Sequence, residues 1–407
     1  MTGDQYVRGG QGRPWFLGIA LNSRSVDGGT LVTGGGRDLD QIKQEVQRRA
    51  DRGMPPLGGI APEDARAALS RITSLAREQW ATAFGAVADT HWQHAESLAG
   101  QDHSAAAKAC WRAWRLFHFA RWPIENTPAK RHACQRALES FRQYAALADP
   151  PIDVIHIPFE GKHITAYLRL PAGVRPAPMV FGIAGLDSRK EDVAAHSDGY
   201  LKHGLGLFAI DLPGTGESPH AVAEIHSDRI FSAALDYLAR RPDVDIGRVV
   251  VQSRSWSGYW AAKLAVTERT RLRGAVVHGG PIHHYFQPQW LKTSLDTGEY
   301  LYDYLEAKCA MHGASGLDDL LTTARAFSLL DLGLLDRPSA PMLLVNGARD
   351  SQIPIADLYL LLEHGDPKEA WVNPQGGHMG RSPQWPSAAI ADIVVMPWII
   401  RRVAAAG

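Results

Sequence analysis

Residues 249–259 of this 407-residue chain read Val-Val-Val-Gln-Ser-Arg-Ser-Trp-Ser-Gly-Tyr, and they decide its fold. The three β-branched valines indicate a buried strand, and the residues from Trp260 to Ala265 continue at once as a helix. Small residues flank Ser255 between the two. A serine in a tight strand-to-helix turn projects its hydroxyl from the sheet edge, where bulky neighbours would clash. We therefore predict that Ser255 is a nucleophile; a serine-rich turn with no catalytic role is the alternative.

Three further segments support this interpretation by their type and their order. The glycine-rich run 211–216 precedes the serine, and it lacks the Gly-Lys-Ser/Thr of a phosphate cradle. Asp350 lies in the loop after the strand-like run 343–345, and His378 lies between glycines near the C-terminus. The order Ser, Asp, His is that of the α/β-hydrolases. Taken alone, Asp350 could cap a helix, and His378 could be a structural member of the 17 histidines.

A serine hydroxyl is a weak nucleophile, so the predicted site needs a base and an anion-stabilising group. We expect His378 to accept the proton of Ser255 and Asp350 to hold the imidazole in the required tautomer. The oxyanion of an acyl-transfer intermediate needs backbone N–H donors. The expected pair is the N–H of Trp256, directly after the serine, and the N–H of Leu186, in the loop after the run 178–183.

Composition and charge favour a small-molecule partner. Apolar residues make up 45% of the chain, and 43 basic residues balance 43 acidic ones, so nucleic acid and anionic membranes are not expected partners. The three cysteines lack metal-ligand spacing and indicate a reduced compartment. The early apolar run 15–21 is too short for a signal peptide, and no run approaches the roughly 20 residues of a membrane span. We expect a cytoplasmic protein without a redox cofactor, because no dinucleotide-type glycine pattern is present.

The first 150 residues are predicted to form a helical region. Residues 1–40 are glycine-rich and polar, and no regular structure is assigned to them. One helix is expected to start at Pro62 and to continue with apolar residues at helical spacing as far as Ala83. A second helix carries Trp111 and Trp114, and a third starts at Pro128 and ends before the two prolines at 150 and 151.

Residues 151–407 are predicted to form the catalytic domain. The segments 153–159 and 163–170 alternate as a hairpin does, and short apolar runs with helix-like connections follow them. These runs read as buried parallel strands, and they are 178–183, 205–210, 248–252, 274–278 and 342–345. The stretch 287–336 interrupts them with helical patterns, as a lid insertion does. These seven segments predict the α/β-hydrolase fold class, for which a mostly parallel eight-stranded sheet is expected.

Residues that follow the strand 274–278 are candidates for the substrate pocket. His283, His284 and Tyr285 should lie at the carboxyl edge of the sheet, where α/β proteins bind their ligands. Two adjacent histidines could bind a metal, but no third ligand has a recognisable spacing, and no metal is expected. Asp187 lies beside the expected oxyanion donor. It is either a further pocket residue or part of a salt-bridged helix start.

The sequence resembles the fermentation–respiration switch (FrsA-like) group of α/β-hydrolases, which includes dihydroxypseudooxynicotine hydrolase and fungal polyketide-shortening pigment hydrolases. The resemblance runs from near residue 100 to the C-terminus and rests on the segments 185–191, 253–258, 279–286, 345–350, 360–365 and 377–380. It implies that residues 1–150 form a helical cap and dimerisation region packed over the sheet domain, with the pocket between them, and that the protein is a homodimer. The chain departs from the group where Ser253 and Ser257 replace the usual glycines.

The resemblance also implies a reaction. Several members of the group cleave a carbon–carbon bond next to a carbonyl with the serine machinery of an esterase. We expect a serine hydrolase that acts on an acyl or β-dicarbonyl group of a mid-sized, aromatic or polyketide-like molecule. A simple carboxylesterase or thioesterase, a non-hydrolytic cyclase or lyase on the same scaffold, and a catalytically silent protein-binding module remain as alternatives.

Overall fold

The computed structural model describes residues 36–364 and 368–405. Residues 1–35, with the apolar run 15–21 and most of the stretch expected to be irregular, lie outside the described residues, as does Gly365 of the resemblance. Five helices precede the sheet: α1 Leu39–Asp51, α2 Pro62–Leu69, α3 Arg77–Leu98, α4 His103–Ala120 and α5 Pro128–Leu147. The helices predicted around Trp111 and from Pro128 are confirmed as α4 and α5, whereas residues 39 and 40 already belong to α1.

The prediction of one continuous helix from Pro62 to Ala83 was wrong. α2 ends at Leu69, and α3 begins only at Arg77. The Gln79 side chain accepts hydrogen bonds from the backbone N–H groups of Thr73 at 3.0 Å and Ser74 at 2.8 Å. The Ser74 hydroxyl in turn accepts from the Ala76 backbone N–H at 3.3 Å, and such side-chain contacts to the backbone compete with helix formation.

Eight strands form one sheet in the order β1-β2-β4-β3-β5-β6-β7-β8. β1 pairs with β2 and β2 with β4 in antiparallel fashion, and all other neighbours are parallel. The central strands are buried along almost their whole length, which explains their uninterrupted apolar sequences. The strands are β1 Asp153–Phe159, β2 Lys162–Arg169, β3 Ala177–Ile183, β4 Gly206–Ile210, β5 Val244–Gln252, β6 Gly274–His278, β7 Met342–Gly347 and β8 Lys368–Asn373. The predicted fold class is confirmed.

Helices connect and flank the strands. They are α6 Lys190–Ala194, α7 Asp198–Leu201, α8 Arg229–Ala239, α9 Gly258–Thr267, α10 Pro288–Ser294, α11 Tyr304–His312, α12 Leu317–Thr323, α13 Ile355–Glu363, α14 Ser387–Ile390 and α15 Met396–Ala404. α9 packs on β6, and α8 and α15 pack on β5. α10 to α12 lie between β6 and β7, where helical patterns were predicted. None of the helices in the described residues has the length and apolar character to cross a membrane.

Candidate active site

Ser255 lies in the sharp turn between β5 and α9. Its φ is +58°, in the left-handed region that L-residues rarely adopt, so the backbone is strained at this position. Ser253 Oγ donates to the carbonyl of Val276 at 2.6 Å, and Ser257 Oγ donates to that of Ile183 at 3.0 Å. Both hydroxyls are fully buried and bonded to neighbouring strands. The two serines therefore fit the turn at the positions where the resemblance led us to expect glycines.

Gly258 is the residue of this turn that must lack a side chain. A Cβ there would lie 2.2 Å from the Cα of Gly280, which follows β6. We expect Gly258→Ala to lower the free energy of unfolding by about 1–3 kcal/mol, because two backbones would have to separate. Gly85 in α3 is the matched control, since its nearest neighbour is a Phe117 atom at 4.0 Å. Gly85→Ala should stabilise by about 1 kcal/mol through helix propensity. Denaturant unfolding measures both, and equal shifts would contradict the steric argument.

The structure brings the side chains of Ser255, His378 and Asp350 together. Ser255 Oγ and His378 Nε2 are 2.7 Å apart, and His378 Nδ1 and Asp350 Oδ2 are 2.8 Å apart. Asp350 Oδ1 accepts hydrogen bonds from the backbone N–H groups of Gln352 at 2.8 Å and Ile353 at 3.0 Å. Burial alone would raise the pKa of Asp350, but His378 and these N–H groups lower it below its ordinary value. The carboxylate is therefore ionised and fixed against the imidazole.

The loop that carries His378 is anchored by strand ends. His278 Nε2 bonds with the Met379 carbonyl at 2.8 Å, and Asn346 Oδ1 accepts from the Met379 N–H at 3.0 Å. Asn373 Nδ2 donates to the Gly380 carbonyl at 2.8 Å. Burial lowers the pKa of His278 to about 3, so this imidazole is neutral and donates its ring N–H. Sequence reasoning missed these three anchors, although each lies at or next to the carboxyl end of a strand.

The expected oxyanion donors lie on two segments that meet at Ser255. Leu186 and Trp256 are buried. Gly185, the residue before Leu186, lies against the turn, since a Cβ there would be 3.6 Å from the Cβ of Ser255. The Trp256 ring packs edge-on against Phe286 and Phe327, which fixes the residue that follows the serine. The structure thus places both segments beside the Ser255 hydroxyl.

Side chains of the segment that follows α4 hold the segment Gly185–Arg189, which we call the oxyanion loop. Arg121 Nη2 donates to the Asp187 carbonyl at 2.8 Å, and Trp122 Nε1 donates to Asp187 Oδ2 at 2.9 Å. Glu125 pairs with Arg189 at 2.9 Å. These side chains are largely buried. The position of the expected donor at Leu186 therefore depends on the helical region.

Charged side chains fix the helix that follows this loop. Asp192 pairs with Arg115 at 2.7 Å and lies 2.9 Å from His118. Burial, and then Arg121, lower the pKa of His118 to about 3, so its ring is neutral. On the other side of α6, buried Lys190 pairs with Asp211 at 3.0 Å. The ion pairs of Lys190 fit the salt-bridged helix start considered from the sequence, whereas the Asp187 carboxylate accepts a hydrogen bond from Trp122 instead.

The other predicted pocket residues, His283, His284 and Tyr285, lie in the loop after β6. The Asp357 carboxylate accepts hydrogen bonds from the successive backbone N–H groups of residues 282–285 and fixes this loop. His283 Nδ1 bonds with Ser328 Oγ at 2.7 Å, and the His284 side chain is exposed. The His283 imidazole thus bonds with Ser328, and the His284 imidazole faces solvent. Tyr285 is buried, and its ring is 5.1 Å from Lys308 Nζ.

Sequence reasoning missed a buried group beside Tyr285. The rings of Tyr300 and Tyr304 stack at 4.0 Å, and Tyr300 stacks on Trp122 at 5.2 Å. Lys308 Nζ lies 4.1 Å from the centroid of the Tyr304 ring. The available signal was the tyrosine-rich run 300–304, which stands out within the predicted insertion.

The sheet order, the strained turn and the side chains beside it define an α/β-hydrolase. The chain belongs to the esterase FrsA-like family, whose profile matches residues 67–367, and the predicted resemblance is confirmed. Esterase FrsA of Vibrio vulnificus (strain YJ016) is 27% identical over 344 residues, covering 78% of this chain and 81% of that protein.

Two solved structures resemble the fold. The crystal structure of the 2,6-dihydroxy-pseudo-oxynicotine hydrolase has a TM-score of 0.71 at 20% identity, covering 89% of this chain and 95% of the other. Wild-type AbyA5 has a TM-score of 0.67 at 21% identity, covering 90% of this chain and 94% of the other. At these identities the similarity concerns the fold, and it includes the helical region as well as the sheet.

Proposed function

We propose that this protein is a serine hydrolase that cleaves an acyl or β-dicarbonyl group of a mid-sized, aromatic or polyketide-like molecule. The observation that carries the proposal is the continuous chain from Ser255 Oγ through His378 to Asp350, with links of 2.7 and 2.8 Å. Such a chain activates a hydroxyl that is otherwise a weak nucleophile.

The proposed reaction has two halves. His378 Nε2 takes the proton of Ser255 as Oγ attacks the substrate carbonyl, and Asp350 stabilises the resulting imidazolium. The backbone N–H groups of Leu186 and Trp256 hold the oxyanion. The bond to the leaving group then breaks, His378 returns the proton to the leaving group, and an acyl-enzyme remains. Water, activated by His378, releases the acid and restores the Ser255 hydroxyl.

Aromatic side chains support the proposed substrate class. Trp122, Tyr300 and Tyr304 stack beside the oxyanion loop, and flat aryl or conjugated ketide groups pack well on such rings. One structural relative is described as a hydrolase of a dihydroxylated oxynicotine, which is an aromatic molecule. A carboxylesterase acting on simple acyl esters is the second candidate, because the matching family and the Vibrio relative carry the name esterase.

A pair of substrates with the same acyl group tests the proposal. We expect the protein to release benzoate both from p-nitrophenyl benzoate and from the β-diketone dibenzoylmethane, measured by chromatography. A fluorophosphonate should add to Ser255, and His378→Ala should abolish this labelling because the hydroxyl loses its base. Turnover of the ester alone would favour the carboxylesterase. A folded protein whose serine stays unlabelled, and which turns over neither compound, would contradict the proposal.

A further inference from the structure

The segment that follows α4 reaches the oxyanion loop with two buried side chains. Trp122 Nε1 donates to Asp187 Oδ2 at 2.9 Å, and Arg121 Nη2 donates to the Asp187 carbonyl at 2.8 Å. Both donor residues are almost completely shielded from solvent, whereas Asp187 itself is half-buried. Asp187 is therefore held at its carboxylate and at its backbone by residues of the helical region.

Residues of the loop itself fix the peptide groups on either side of Leu186. The Gly185 N–H donates to Ser188 Oγ at 2.8 Å, and Arg189 Nη1 donates to the Leu186 carbonyl at 3.3 Å. Arg189 Nη2 in turn donates to Glu125 at 2.9 Å. The Leu186 N–H lies along the backbone between these anchored groups. Because each peptide group is planar and moves as a unit, the direction of this N–H follows from the anchors around it.

The loop is in direct contact with the nucleophile turn. A Cβ on Gly185 would lie 3.0 Å from the Arg254 carbonyl oxygen and 3.6 Å from the Cβ of Ser255. A shift of the loop therefore changes the distance between the Leu186 N–H and an oxyanion formed at Ser255. Oxyanion donors stabilise the transition state fully only at about 2.7–3.1 Å from that oxygen, so the loop needs firm support.

The indole of Trp122 is itself held in one orientation. Its ring stacks on Tyr300 at 5.2 Å and on Phe119 at 6.2 Å, and it packs edge-on against Tyr302 at 5.3 Å. A large ring packed on several sides keeps its position at low entropic cost. Trp122 therefore presents its N–H to Asp187 as a rigid donor, and a hydrogen bond from an N–H to a carboxylate is stronger than one between neutral groups.

We propose that Trp122 is a positioning residue of the oxyanion hole, which acts through Asp187 to aim the Leu186 N–H at the substrate oxyanion. The proposal rests on the proposed serine mechanism and adds no step to it. Trp122 exerts its effect on the loop, and Leu186 and Trp256 remain the groups that bind the oxyanion. A residue outside the sheet domain thus completes the catalytic machinery.

Trp122→Phe keeps an aromatic ring and removes the N–H. We expect it to lower kcat for p-nitrophenyl benzoate by about tenfold to a hundredfold and to leave KM within about threefold, because the lost stabilisation belongs to the transition state. Trp80→Phe is the matched control. Trp80 is also buried in the helical region and packs edge-on against Tyr302 at 5.8 Å, but its Nε1 donates to the Ser74 carbonyl at 2.9 Å. This variant should keep both constants within about threefold.

A thiono ester reports on the oxyanion hole itself. In p-nitrophenyl thionobenzoate a sulfur atom replaces the carbonyl oxygen, and because sulfur is larger and accepts weaker hydrogen bonds, well-aimed N–H donors favour the oxygen ester. We expect the ratio of kcat/KM for the oxygen ester to that for the thiono ester to be about tenfold lower in Trp122→Phe than in the native protein. A general loss of folded protein lowers both rates together and leaves this ratio unchanged.

A double-mutant cycle tests whether Trp122 acts through Asp187. Asp187→Ala should lower the ratio as Trp122→Phe does, since the loop loses the same anchor. Combining the two changes should lower the ratio no further than Asp187→Ala alone, because the indole then has no carboxylate to bind. If Trp122→Phe fails to fold, the ratio in Asp187→Ala decides alone, and this variant removes a half-buried side chain.

The outcomes separate the role of Trp122 from the serine mechanism. A native ratio in folded Trp122→Phe or in Asp187→Ala, an equal fall in Trp80→Phe, or independent losses in the double variant would overturn the role of Trp122. Labelling of Ser255 by the fluorophosphonate in the native protein would show that the serine mechanism still stands. If the native serine resists the label and neither ester is turned over, the serine mechanism fails and the role of Trp122 fails with it.

Discussion

Ser255→Ala is expected to lower kcat by about 10⁴- to 10⁶-fold, because no other oxygen can form the acyl-enzyme. The residual rate over water should come from binding and from the oxyanion donors. Ser253→Ala is the matched control in the same turn: its hydroxyl donates to the Val276 carbonyl, which also accepts the Ser253 backbone N–H at 3.2 Å. This variant should keep kcat within about tenfold, since it loses only neutral hydrogen bonds: the one to Val276 and a long one from the His278 backbone N–H at 3.5 Å.

Initial rates and the intact mass after fluorophosphonate treatment measure this prediction. The mass of Ser255→Ala should stay unchanged, whereas Ser253→Ala should gain one label. If Ser255→Ala retained its turnover, His378 would have to act on the substrate directly, and the non-hydrolytic interpretation of the scaffold would replace the hydrolase.

Asp350→Asn is expected to lower kcat by about 10³- to 10⁴-fold with little change of structure. Asp350 accepts the Nδ1–H of His378 at 2.8 Å, and this leaves Nε2 free to accept the serine proton. An asparagine amide can present an N–H to Nδ1 instead, and the imidazole then carries its proton on Nε2, facing Ser255. The hydroxyl loses its base in that tautomer.

A second Asp–His pair provides the control. His364 Nδ1 lies 2.9 Å from the exposed carboxylate of Asp336, far along the chain from the serine. Asp336→Asn should leave kcat unchanged, because an exposed pair of this kind contributes little. A loss of less than tenfold in Asp350→Asn, measured with both variants at the same pH, would contradict the assigned role of Asp350.

The sequence predicted seven of the eight strands and the three side chains Ser255, Asp350 and His378; it missed the edge strand Lys368–Asn373, whose side chains are mostly exposed or half-buried. Buried parallel strands have uninterrupted apolar sequences, and the loops after them meet at one edge, so Ser255, Asp350 and His378 could be placed from order alone. The break between α2 and α3 could not be predicted in this way. It depends on the Gln79 side chain, which accepts hydrogen bonds from the backbone of residues 73 and 74.

The surroundings of the site were harder to predict for a physical reason. Trp122 and Asp187 are 65 positions apart, and their hydrogen bond depends on how the segment after α4 meets the loop after β3, which no local sequence pattern records. The stacked rings of Tyr300 and Tyr304 and the neighbouring Lys308 lie in an insertion, and the regular spacing of the strands does not constrain the path of this insertion. His283 and Tyr285 were placed at the correct edge, but which of the two faces the interior depends on the Asp357 contacts.

Arg121, Trp122 and Glu125 bind the oxyanion loop, and these contacts limit which parts of the chain can be exchanged between relatives. A detachable lid can be exchanged between relatives to alter which molecules are admitted, leaving the chemistry intact. A chimaera joined near residue 150, with its first part taken from a relative, would keep every strand of this protein. Asp187 and Arg189 would then face the relative's residues in place of Trp122 and Glu125. Recombination between relatives should therefore succeed only when these pairs travel together, so that selectivity and catalytic competence are inherited as one unit.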